Sequence, residues 1–107
     1  MKLPYTIFSG LSTKSTEIPP NSILSQTIYE DDQINAILFN FSSGQELSEH
    51  TASKTALLYF VEGEAQLTLG GDAHEAMPGT WVRLEPQLPH SVKALSPLVM
   101  LLVLIKA

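Results

Sequence analysis

One run constrains this chain more than any other. Ala56-Leu57-Leu58-Tyr59-Phe60-Val61 is continuously apolar and is stopped by Glu62-Gly63. It is too short for a helix of ordinary length, and its aromatic and aliphatic content suits a pleated strand. Side chains on a strand alternate between faces. Ala56, Leu58 and Phe60 therefore share one face, and Leu57, Tyr59 and Val61 the other. Both faces are apolar, so both need cover. Upstream, Gly44 opens a turn and a more polar segment reaches His50, so the interval from Gly44 to Gly63 is expected to form two strands of a hairpin.

The same punctuation divides the rest of the chain. Residues 1–21 are rich in Ser, Thr and Pro and end in Pro19-Pro20-Asn21, which predicts an irregular or edge-strand arm, because Pro cannot donate into a central ladder. Strands are expected at Ser22–Tyr29 and Ile34–Phe41, separated by the turn-forming Glu30-Asp31-Asp32. Glu64–Leu69 and Ala73–Met77 should pair across a tight Gly70-Gly71-Asp72 turn. Thr80–Leu84, His90–Leu95 and a final strand after Ser96-Pro97 complete the pattern, with no convincing helix. Many short strands at this spacing predict an all-β sandwich or barrel. With 107 residues, the expectation is a single domain spanning 1–107, residues 1–21 forming its arm.

Charge and composition exclude several functions. The net charge is −5, and the six basic residues (Lys2, Lys14, Lys54, Arg83, Lys93, Lys106) are scattered, so no basic stripe meets a phosphate backbone and no nucleic-acid partner is expected. The absence of Cys removes disulfides and thiolate metal sites. The longest apolar run, Leu98 to Ile105, falls far short of the ~20 residues of a membrane span. No apolar block of signal-peptide length follows the N-terminus, so a cytoplasmic protein without a membrane partner is expected. There is no nucleophile elbow, phosphate-binding Gly loop or dinucleotide fingerprint.

Two spaced frames carry a resemblance. Gly44, His50, Ala52, Ala56 and Gly63 keep the spacing of the first cupin motif, G-x5-H-x-H-x3-E-x6-G. Gly79, Glu85, Gln87, His90 and Ala94 keep that of the second, G-x5-P-x-G-x2-H-x3-N. The chain thus resembles the cupin superfamily, in particular its small single-domain bacterial members (the cupin 2, conserved-barrel type). The resemblance implies an all-β double-stranded β-helix, a jelly-roll barrel. It also implies that His50 and His90 stand at metal-ligand positions, while Ala52 and Ala56 stand where the family has its other His and its Glu. Glu85, at the barrel rim, is a candidate substitute carboxylate.

Parity then outlines a site. With His50 inward, Ala52 follows, and the resemblance places Ala56 inside, with Leu58 and Phe60 after it. Arg83 should face water, which turns Trp81 outward and Val82 and Leu84 inward; from His90 the same rule brings in Val92 and Ala94. The candidate ligand-binding residues are therefore His50, Ala52, Ala56, Leu58, Phe60, Val82, Leu84, His90 and Val92. No catalytic residue is assigned, and with two imidazoles no tightly held metal cofactor is expected; a weak divalent cation at His50 and His90 is the alternative.

Three functions fit. The first is a binding or sensing barrel that holds a small apolar or mixed molecule. The second is a metal-dependent enzyme of dioxygenase or isomerase type with a reduced ligand set. The third is an interaction module whose barrel is filled by its own side chains. Because Ile34–Phe41 and the last strand are apolar on both faces, Ile37, Phe39, Phe41 and the matching face of the last strand are expected to need cover, from the arm or from a second subunit, and a homodimer is expected.

Overall fold

The first hairpin shows how turn chemistry sets the fold. In the computed structural model, which describes residues 3–14 and 18–106, strands β1 (Ile23–Glu30) and β2 (Ile34–Phe41) pair antiparallel around Asp31. Its Oδ1 accepts from the backbone N–H of Gln33 (2.7 Å) and of Ile34 (2.9 Å), an Asx-type closure that turns the chain. The other carboxylate oxygen accepts from the Tyr29 hydroxyl at 2.8 Å. That hydrogen bond, aided by desolvation and by the carboxylate charge, raises the Tyr29 phenol above its ordinary 10.0.

Seven further strands follow: β3 (Glu46–His50), β4 (Thr55–Glu62), β5 (Ala65–Leu69), β6 (Asp72–Ala76), β7 (Trp81–Leu84), β8 (His90–Ala94) and β9 (Leu98–Ile105). They form a five-stranded sheet ordered β1-β2-β9-β4-β7 and a four-stranded sheet ordered β3-β8-β5-β6. Among the described residues the helical content is one 3-10 turn at Leu11–Lys14, which lies against β4 and β9. No helix there is long and apolar enough to cross a membrane.

β5 and β6 pair through Gly70 and Gly71, both at positive φ (57° and 94°), as a two-residue hairpin of primed type demands. The interval Gly44 to Gly63, in contrast, is no hairpin. Its two strands lie in different sheets: β3 pairs with β8, whereas β4 pairs with β9 and β7. The segment between them crosses from one sheet to the other, which is how a strand with two apolar faces becomes central. β4 packs its even residues inward and takes neighbours on both edges.

The core lies between the sheets. Phe41, Ala56, Leu58, Phe60, Ala65, Leu67, Ala76, Leu84, Val92, Ala94, Leu98 and Met100 form one buried cluster. At one end the sheets are tied by their turns. Glu64 N–H donates to Ser96 Oγ (2.9 Å), Leu95 N–H donates to Glu64 O (2.8 Å), and Gly63 lies directly against Pro97.

Register also decides which face of β2 looks inward. Phe41 is opposite Leu98, Phe39 opposite Met100 and Ile37 opposite Leu102, in rows that continue to the buried Phe60 and Leu58 on β4. Ile37, Phe39 and Phe41 therefore face the barrel, contrary to the expectation that they need outside cover. The outward row is Ala36, Leu38 and Asn40, opposite Val103, Leu101 and Val99. Leu38 is nevertheless fully buried (0 % exposed), and Ala36 and Asn40 nearly so, so the outer face of β2 is covered within the chain. A strand apolar on both faces gives no parity signal, and only its pairing partners tell the faces apart.

Candidate functional site

The two sheets leave one end of the barrel carrying the histidines. On the four-stranded sheet His50 of β3 is registered opposite His90 of β8, and His90 is opposite Leu69 of β5. A register shift between Leu47 and His50 puts His50 on the same inner face as Leu47, although 47 and 50 differ in parity. The rings are 4.2 Å apart between centroids and tilted by 57°. His90 is buried, and His50 is exposed at the rim.

Each ring is held in the same way. His50 Nδ1 lies 2.8 Å from the carbonyl oxygen of Ser48, and His90 Nδ1 lies 2.9 Å from that of Leu88, two residues back in both cases. A carbonyl only accepts, so both Nδ1 atoms carry a proton and donate. In its neutral form each ring then presents Nε2 as a lone pair.

Around the pair the wall is apolar. Ala52 is half-buried, and its carbonyl accepts from the Gln87 N–H at 2.7 Å, which ties the β3–β4 crossing to the loop before His90. Ala56 is registered between Leu84 and Leu104. Ala56, Leu58, Phe60, Leu84 and Val92 are between 0 % and 2 % exposed. A side chain facing a void wide enough for water would keep accessible surface, so these five pack against protein atoms and form the floor of the mouth. Val82 is half-buried and packs against the same cluster. Trp81 and Arg83 face outward and Leu84 inward, as parity predicts.

One polar group here escaped the sequence reading. Asn35 sits on the inner face of β2, opposite Leu104, and its Oδ1 is buried with no hydrogen-bond partner. The signal available was an amide within an otherwise apolar strand.

Other candidates lie elsewhere. Glu85, the substitute carboxylate, is exposed and lies 3.7 Å from Arg83. His74 is exposed on β6 and lines an open concavity of ≈ 270 Å³ with Gln66, Ala73, Glu75 and Leu95. A larger concavity of ≈ 680 Å³ lies between the arm (Leu3 to Phe8) and Ile28, Tyr29 and Ile34, away from the histidines. It is an open groove lined mostly by apolar side chains, with the hydroxyls of Tyr5, Thr6 and Tyr29 as its polar groups, so the paired imidazoles remain the better candidate.

The donor set can be tested against the metal that the cupin resemblance implies. The tautomer suits ligation, since a ligating imidazole usually donates its other N–H to an oxygen. The count does not. Ala52 and Ala56 offer only methyl groups, and among the described residues no group of three or more His, Cys, Asp or Glu could hold a metal ion. The residues present do not fit a firmly held cation.

Comparison with known proteins agrees with this architecture. A family model described as Cupin domain matches residues 37–104. No curated protein matches the sequence. Among solved structures, a cupin superfamily protein from Desulfitobacterium hafniense is similar with a TM-score of 0.80 at 22 % identity, covering 85 % of this chain and 84 % of the other. A conserved protein of unknown function from Streptococcus pyogenes is similar with a TM-score of 0.82 at 21 % identity, covering 100 % and 91 %. An RmlC-like cupin from Desulfovibrio desulfuricans gives 0.81 at 19 %, covering 94 % and 98 %. At these identities the likeness concerns the fold.

Proposed function

The chain belongs to the cupin domain family, and from that premise we propose that it is a binding or sensing protein whose barrel mouth receives a small molecule without a firmly held metal. One observation carries the reading: two imidazoles stand side by side, 4.2 Å between centroids, and among the described residues no third His, Cys, Asp or Glu joins them to hold a metal ion. Ligand contact is assigned to His50, Ala52, Val82 and His90, with Ala56, Leu58, Phe60, Leu84 and Val92 as the apolar floor. Elemental analysis of the purified protein is expected to give well below one metal per chain. A value near one, lost in His50→Ala, would reject the proposal in favour of a metal-dependent enzyme with a reduced ligand set.

The near-zero exposure of the floor favours a second reading, an interaction module with a filled barrel. A small molecule that raises the melting temperature decides against it, because only binding to the native state does so.

A homodimer is part of the proposal. Leu3, Tyr5 and Ile7 alternate along the arm and are 61 %, 65 % and 80 % exposed, an apolar stripe suited to a second copy. Light scattering at micromolar concentration is expected to give the dimer mass, and a monomer mass would reject this part.

A further inference from the structure

Both histidine rings have their single neutral-state proton committed to a backbone carbonyl, at Ser48 and at Leu88. The other ring nitrogen of each, Nε2, is therefore an acceptor. Two neutral imidazoles in this tautomer cannot satisfy one another through Nε2, because neither nitrogen has a hydrogen to give. The floor beneath consists of Ala56, Leu84 and Leu104, which donate nothing.

From this we infer that the mouth selects a small molecule bearing two adjacent O–H or N–H donors on an apolar body, and discriminates against carboxylates. The inference rests on the mouth being the binding site, as proposed above. A vicinal diol can give one hydrogen to each Nε2. A carboxylate brings only lone pairs to lone pairs and loses its hydration without compensation. Two adjacent donors are called for because the rings stand side by side, 4.2 Å between centroids, and each brings its own acceptor.

The test is nuclear magnetic resonance on the full chain at pH 8, where ordinary imidazoles are neutral. Long-range proton–nitrogen correlation spectra are expected to show the Nδ1–H tautomer for His50 and His90; Nε2–H tautomers at both would overturn the inference before any ligand is added. Two probes of matched body, cis-cyclohexane-1,2-diol and cyclohexanecarboxylate, are then titrated. The diol is expected to shift the His50 and His90 resonances and to bind at least about tenfold more tightly than the carboxylate, the equivalent of one or two net hydrogen bonds. His50→Ala, a change at an exposed position, is expected to remove that preference, and His74→Ala to leave it intact. Equal or tighter carboxylate binding that still shifts both histidines would overturn the selectivity and leave the mouth as the site. If neither probe shifts either histidine at millimolar concentration, the selectivity and the site both fall.

Discussion

A Phe60→Ala variant is expected to lose about 3–5 kcal/mol of stability, read as a fall in the urea midpoint at unchanged slope. Phe60 lies on β4 with no exposed surface, in the row with Met100 and within one cluster that includes Leu58, Ala65, Ala94 and Leu98. Truncation removes a large apolar group from close-packed surroundings, so the loss combines the transfer energy with that of the void left behind. Domains of this kind carry a margin of only about 5–15 kcal/mol, so the variant should be visibly fragile. The measurement also bears on function. If the interior were an open chamber, Phe60 would already face a void, and its removal should cost under about 2 kcal/mol, near the transfer part alone. That smaller figure would contradict the sealed floor. Trp81→Ala supplies the contrast: at 60 % exposure on β7, its loss should cost about 0.5 kcal/mol or less.

Gly63→Ala is expected to cost at least about 3 kcal/mol, with failure to accumulate folded protein as the extreme outcome. Two causes add. Gly63 has a φ of 86°, a conformation in which any Cβ costs about 1–2 kcal/mol. A Cβ there would also run into the carbonyl oxygen of Pro97, a backbone atom that cannot swing aside as a side chain can. Gly71→Ala separates the two causes. Its φ is 94°, yet nothing lies within 4 Å of the added atom, so only the conformational cost of about 1–2 kcal/mol should appear. Thermal or urea denaturation that put both variants at equal stability would show that the Pro97 contact relaxes without cost.

Much of this architecture was legible from residue order, and the misreadings share a cause. β2 begins and ends where the Asp31-Asp32 and Ser42-Ser43-Gly44 turns place it, and the Gly70-Gly71 hairpin forms as its positive-φ requirement predicts. Both signals are local, carried by residues that few other conformations suit. The pairing of β3 with β8, about forty residues away, leaves no such local mark, and the interval from Gly44 to Gly63 therefore read as a hairpin. The inner face of β2 was misassigned because an apolar residue on either side gives no alternation to follow. At the site, the spacing of the two motifs brought His50 and His90 together correctly. The proton position on each ring was not readable, since it depends on the imidazoles of His50 and His90 folding back onto the carbonyls of Ser48 and Leu88. Asn35 was overlooked for a related reason: an unpaired carbonyl becomes significant only when the strand's inward face is known.

The place of β9 has a consequence for how the protein comes into being. Residues 98–105 are made after the other eight strands of the described residues, yet they fill the slot between β2 and β4 in the middle of the five-stranded sheet. A nascent chain on the ribosome can close the β1–β2 and β5–β6 hairpins early, because those contacts are local. It cannot bring β2 and β4 into one sheet until the last strand has emerged, and until then both keep open edges beside the apolar residues of the future core. Synthesis at ~5–20 residues per second is slow beside hairpin closure in microseconds, so this half-built sheet persists. Closure of this sheet therefore waits for β9, the keystone that joins its two halves.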